Sequence, residues 1–210
     1  KLMEVLLLSG CAMALAGSSS PASGGEHLLS HYWDMVAHCN GRSTPSFHGT
    51  QVGIATVLTG RLYEGILRPS VMFAGVSERL ANHPVDREDW VDRVRNRHPN
   101  LTSDVLDEVI EESLLKFLPP AEQRNRLQQI DERWEEISAH LQGLLMPVTR
   151  IEKALIAAGG PVRGVEIGLE PSQVQEAIRV ARDIRSRYTV LDFAADLGIL
   201  DSYSEMAIAE

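Results

Sequence analysis

Residues 17–53 read GSSSPASGGEHLLSHYWDMVAHCNGRSTPSFHGTQVG. The punctuation of this stretch decides the fold. Ser23, Gly24 and Gly25 make a turn, and Glu26 opens a run that lasts to Cys39. A polar turn, 40–46, follows with Gly41 and Pro45. His48 then opens a second run, apolar on most faces through Val52, Ile54, Ala55, Val57, Leu58 and Leu62. The pattern predicts helices over 26–39 and 48–66, the second at the centre of the core. Gly49, Gly53 and Gly60 are expected to let neighbouring elements approach it closely.

The same stretch holds four of the seven histidines: His27, His31, His38 and His48. His27 and His31 are one helical turn apart and share a face. That spacing offers two imidazole nitrogens to a metal or to a substrate oxygen. His48 stands at a helix start, where the positive dipole end favours the neutral ring, which is the ligating form. Two helix starts are therefore expected to aim histidines into one cleft. Glu26 reads as a first-turn carboxylate. The order Glu-His-x-x-x-His is not His-Glu-x-x-His, so Glu26 is not placed as a metalloprotease general base. A catalytic tetrahedral site keeps about three protein ligands, and this pattern supplies two. His38 and Cys39 lie at the far end of their helix, and His83, His98 and His140 read as surface groups.

Outward from this stretch the chain reads as helical throughout. Residues 3–16 form a helix ended by Gly17 and a run of serines. Its Val5-Leu6-Leu7-Leu8 and Ser9-Gly10-Cys11 resemble a lipoprotein signal. A single lysine, the interrupting Glu4 and apolar character continuing past Cys11 favour an amphipathic helix instead. A short helix is expected over 69–81. Residues 86–145 are rich in Asp, Glu and Arg, which reads as solvated helical faces. They carry a helix from Asp86 or Arg87 to Arg97 and another from a Ser103-Asp104 cap to about Leu118. One long helix follows from Pro120 toward Pro147. Further helices cover 146–158, 172–181, 188–197 and 202–209. Val162–Ile167 is the one strand candidate. No Gly-rich loop follows a strand, so the mark of a nucleotide-binding domain is missing.

Composition agrees with an all-α protein. Of 210 residues, 44% are hydrophobic and only 5% aromatic, so helices pack through aliphatic side chains. The net charge of −9 with no basic block excludes nucleic acid as an expected partner. No run reaches the about 18 apolar residues of a membrane span. Two cysteines make no disulfide framework, and a cytoplasmic protein is expected.

PASGGEHLLSHYWDM (21–35), FHGTQVGIATVL (47–58) and RYTVLDFAADLGIL (187–200), with the charged helices before the last, resemble the sn-glycerol-1-phosphate dehydrogenase family, in particular its bacterial members. The resemblance covers essentially the whole chain and implies the C-terminal, metal-binding helical domain of a two-domain enzyme of the glycerol dehydrogenase and dehydroquinate synthase group. It implies site-bearing helices over 1–83 and charged and terminal helices over 84–210. The NAD(H)- or NADP(H)-binding N-terminal domain is expected outside this chain, which then reads as a piece of a longer protein.

By position His27 and His48 resemble the two histidine metal ligands, and His31 the histidine that contacts substrate. The aspartate ligand of the family has no counterpart here; Asp34 and Asp86 are wrongly placed. Ser18, Ser19 and Ser20 read as turn residues beside the site. The resemblance further implies zinc or nickel and reversible reduction of dihydroxyacetone phosphate to sn-glycerol 1-phosphate in phospholipid metabolism. It also implies a homo-oligomer, and no activity from this chain alone. Related polyol dehydrogenases, carbocycle-forming synthases and a non-catalytic metal- or partner-binding module stand as alternatives.

Overall fold

A computed structural model describes residues 1–68 and 85–209. The expected helix over 69–81 and His83 lie outside the described residues. Within them the chain is all-helical and no strand forms.

Helix α1 (Leu2–Ala16) ends on Gly17 in the left-handed region (φ 63°), where a Cβ would be strained. The helix is present, but it is not amphipathic. Met3, Val5, Leu6, Leu7, Leu8 and Leu15 are all exposed. Its polar residues are too few to make a second face, and its main packing is against the 3-10 turn Ser20–Ala22.

Helices α2 (Gly25–Cys39) and α3 (His48–Ile66) pack together as expected. Leu28, Leu29, Tyr32 and Trp33 of α2 meet Ile54, Ala55, Leu58, Leu62 and Ile66 of α3 in one core. Each fully buried aliphatic side chain contributes roughly 1.5–3 kcal/mol. Gly25 makes close approach possible at the start of α2. A Cβ there would lie 3.3 Å from Val190 Cγ1 and 3.4 Å from both Leu191 Cγ and Thr59 Cγ2. Gly60 and Gly53 face α8 (Val148–Ala157) closely, a Cβ lying 2.8 Å from Val148 Cγ2 and 3.3 Å from Leu155 Cδ2 respectively. Gly49 faces open space, so the close approach expected there is not made.

The charged half continues with α4 (Arg87–Arg97), α5 (Ser103–Leu114), α6 (Pro120–Glu132) and α7 (Trp134–Leu144). Asp86 caps α4 by accepting from the Asp89 amide at 2.8 Å. The N-cap position of α5 is Thr102 rather than Ser103, with no side-chain capping bond, and the helix ends at Leu114 rather than Leu118. The expected long helix is two. Exposed Asp131, Glu132 and Arg133 gain nothing from burial, and Glu135 with Glu136 suits the dipole of a fresh N-terminus. Arg133 forks onto Glu136 across that break, at 3.1 Å.

Helices α9 (Pro171–Val180), α10 (Val190–Leu197) and α11 (Leu200–Ala209) close the fold. The strand candidate is instead a 3-10 turn, Gly164–Ile167. The Glu166 carboxylate takes the amides of Val162 and Arg163, at 3.0 and 2.7 Å, and curls the backbone before it can extend.

The 3-10 turn Ala181–Ile184 is the hub, packed against α2, α5, α9 and α10. Asp183 in it is 0% exposed. Its carboxylate accepts from Arg97 Nη2 at 3.0 Å and from His98 Nε2 at 3.1 Å. His98 is therefore not a surface group: it is 1% exposed, because the chain turns inward at the end of α4 and sets the ring beside Tyr32. Burial alone would raise the Asp183 carboxyl. The His98 hydrogen bond and the charges of Arg182 and Arg97 outweigh it and hold the group down at about 2.

Candidate functional site

Along α2, residues 27, 30, 31 and 34 fall on one stripe, while 28, 29, 32 and 33 fall on the core side. Burying the core side therefore turns His27, Ser30, His31 and Asp34 together toward the start of α3. Phe47 is the N-cap of α3, so His48 is its first helical residue. The imidazole centroids of His27 and His48 are 5.3 Å apart, those of His31 and His48 are 5.2 Å apart and stacked, and those of His27 and His31 are 6.3 Å apart. The two helix starts thus converge.

Each of the paired rings is held through Nδ1. His27 Nδ1 donates to Glu26 Oε1 at 2.8 Å, and Glu26 also accepts the Gly24 amide at 2.9 Å. The Glu26 carboxylate therefore ties the first turn of α2 to the ring beside it. His48 Nδ1 bonds Ser30 Oγ at 3.0 Å. In both rings Nε2 is the remaining nitrogen. Burial lowers the His31 pKa most, the positive charges of His48, Arg185 and His27 lower it further, and Asp34 opposes them. His31 is accordingly biased toward its neutral form.

His38 is exposed, and the Cys39 thiol lies 3.7 Å from Thr102 Oγ1, so neither joins the cluster. Ser18 Oγ accepts the Ser20 amide and Ser19 Oγ accepts from Arg187, which is the work of turn residues. His140 is exposed, as expected. Asp34 accepts from Gln51 Nε2 at 2.7 Å and is not among the ring partners. Sequence reasoning missed Ser30, Gln51 and Arg187. Gln51 is a lone amide on the inner side of an apolar helix, a signal that was available. Arg187 donates to the Ser23 carbonyl and pins the turn before α2 from a distance of 164 positions, which no local pattern shows.

The donor chemistry suits a divalent metal in part. Two imidazoles with Nδ1 bonded to a carboxylate or hydroxyl are arranged as metal-binding histidines usually are. Among the described residues no group of three His, Cys, Asp or Glu is placed to hold a metal ion. His27 and His48 therefore fit as two donors of a set that needs a further ligand.

No family model and no solved structure matches the chain. Curated proteins do. Over 191 residues, 90% of this chain, it is 29% identical to the glycerol-1-phosphate dehydrogenase [NAD(P)+] of Halalkalibacterium halodurans, covering 36% of that protein. It is 28% identical over 199 residues, 93% of the chain, to the enzyme of that name from Geobacillus stearothermophilus, covering 38% of it. A stretch of 63 residues is 46% identical to the enzyme of that name from Pyrococcus horikoshii, 30% of this chain and 17% of that one. The chain thus spans little more than a third of the length of the relatives it matches most fully. Among the described residues no helix is long and apolar enough to cross a membrane. Across nine-tenths of its length this chain, all-helical over its described residues, resembles the C-terminal part of glycerol-1-phosphate dehydrogenase.

Proposed function

We propose that this chain is the metal-binding helical domain of an NAD(P)-dependent enzyme that interconverts dihydroxyacetone phosphate and sn-glycerol 1-phosphate. The observation that carries the reading is the convergence of His27, His31 and His48, with two of the three rings held through Nδ1. The activity of the relatives supplies the reaction class.

On this reading His27 and His48 bind a divalent metal, zinc or nickel, through Nε2. The metal supplies Lewis-acid polarisation of a carbonyl oxygen. Glu26 and Ser30 hold the two rings in position. His31, stacked beside His48, orients a substrate hydroxyl and exchanges a proton with it at its own ring nitrogen. The further ligand and the nicotinamide cofactor come from sequence outside these 210 residues. The same reading makes the whole protein a cytoplasmic homo-oligomer and this chain alone inactive.

Titration of the purified chain with zinc and with nickel tests it. Stoichiometric binding lost in both His27→Ala and His48→Ala is the expected result. No binding, or binding indifferent to both changes, overturns the reading, as does oxidation of NADH by this chain alone with dihydroxyacetone phosphate.

A further inference from the structure

Behind His48 lies a chain of polar groups in a place where the core should be apolar. Ser30 and Gln51 are both 0% exposed. Buried polar groups of this kind are retained only when every hydrogen has a partner. Here the partners fix every direction. Gln51 Nε2 has two hydrogens and lies 2.7 Å from Asp34 Oδ1 and 3.0 Å from the Ser46 carbonyl. Both of those oxygens only accept, so Nε2 gives both hydrogens away and the amide cannot be flipped. Gln51 Oε1 is then an acceptor, and Ser30 Oγ donates its single hydrogen to it at 2.9 Å. The hydroxyl has nothing left to give His48. At 3.0 Å from Ser30 Oγ, His48 Nδ1 must be the donor.

We propose that Ser30 and Gln51, anchored by Asp34 and the Ser46 carbonyl, are positioning residues that lock His48 as the Nδ1–H tautomer and so keep the Nε2 lone pair available to a metal. This rests on the metal reading above for its consequence but not for its geometry. A neutral imidazole in water ordinarily prefers the Nε2–H form, whose lone pair sits on Nδ1. The relay reverses that preference before any metal arrives. It links the two helix starts as well, because Ser30 and Asp34 belong to α2 while Ser46, His48 and Gln51 belong to α3 and the turn before it. His27 reaches the same tautomer by a shorter route, through its neighbour Glu26.

The test is the tautomer of His48 in the metal-free chain, read from its ring nitrogen chemical shifts about two pH units above the ordinary histidine value. Wild type is expected to show Nδ1–H. Ser30→Ala removes the acceptor, so His48 reverts mainly to Nε2–H. Gln51→Leu frees the Ser30 hydroxyl to rotate and donate to Nδ1, with the same result. Zinc titration of the two variants is expected to show affinity 10- to 100-fold weaker than wild type, the usual loss when a partner of a metal-binding histidine is removed.

A wild-type His48 found mainly as Nε2–H overturns the proposal, and this measurement needs no variant to fold. Unchanged tautomer and unchanged zinc affinity in both variants also overturn it, while leaving the metal reading intact. An Nδ1–H wild type that binds no zinc upholds the lock and overturns the metal reading instead.

Discussion

Replacing Asp183 by Asn should be among the most damaging single-atom changes in this molecule. The Asp183 carboxylate sits at the hub with no solvent exposure, taking Arg97 Nη2 at 3.0 Å and His98 Nε2 at 3.1 Å. Hydrogen bonds to a charged partner contribute about 1.5–3 kcal/mol each. The Asn side chain can still accept from Arg97, so one bond survives in weakened form. The half-buried Arg97 loses its counter-charge, while Arg182 keeps Asp192 at 3.8 Å. Breaking a fully buried pair from one side costs about 3–5 kcal/mol, and the partial exposure of Arg97 lowers that. Together these place the loss at neutral pH at about 2–4 kcal/mol, read as a shift in the urea midpoint by circular dichroism.

A pH series gives an independent check on the Asp183 prediction. The gap between the ordinary carboxyl value of 3.8 and the folded value of about 2 corresponds to about 2 kcal/mol. Because the folded value is depressed, this stabilisation is present above pH 3.8 and disappears as pH falls through 2. Wild type should therefore lose it across that window, and Asp183→Asn should lack that component of the loss. A neutral-pH change under about 0.5 kcal/mol, or an identical acid profile in the two proteins, would refute the reasoning.

Four further changes test the packing and the polar contacts. Gly60→Ala should destabilise by about 1–2 kcal/mol despite the gain in helix propensity, because its Cβ falls 2.8 Å from the stiff, buried Val148. Gly53→Ala in the same helix meets only a flexible Leu155 methyl at 3.3 Å and should be neutral or slightly stabilising in the same urea assay. Lys116→Met leaves the nearly buried Asp192, now 2.6 Å from Lys116 Nζ, without that cation, and thermal unfolding should show a loss of about 3 kcal/mol or more. Thr189→Ala removes the acceptor for the Leu191 amide at the start of α10 and should cost about 1 kcal/mol by urea titration; no measurable change would mean that Asp192 alone caps that helix.

What the sequence made legible was periodicity, and what it hid was everything set by distant partners. Helices α2 and α3 were readable because turn residues bracket long apolar runs, and the convergence of His27, His31 and His48 followed from the positions of the two helix starts. The break at Arg133 was not readable, since apolar spacing continues across it and only the lack of burial of Asp131, Glu132 and Arg133 ends the helix there. Val162–Ile167 has the composition of a strand, yet a strand needs a neighbour, and Glu166 offers the backbone a local alternative. His98 looked solvated because its partner, Asp183, lies 85 positions away. Helix α1 was legible as a helix but not as an amphipathic one.

The stripe on α2 explains why the legible and the hidden parts belong together. Positions 27, 30, 31 and 34 recur at the helical period, and so do 28, 29, 32 and 33 on the opposite side, where Leu28, Leu29, Tyr32 and Trp33 are all but fully buried. The rotation of α2 about its own axis is fixed by that core side. A shift large enough to expose Leu29 would also carry Ser30 away from Gln51 and His48. The histidine cluster therefore has no geometry of its own to lose: it inherits its pose from apolar packing, and the relay through Gln51 converts that pose into a proton position. Core substitutions that leave the helices folded but loosen α2 against α3, such as Leu58→Ala, should accordingly shift the tautomer of His48 along with stability. Hub substitutions such as Asp183→Asn act on the turn Ala181–Ile184 and should lower stability with far less effect on the tautomer of His48.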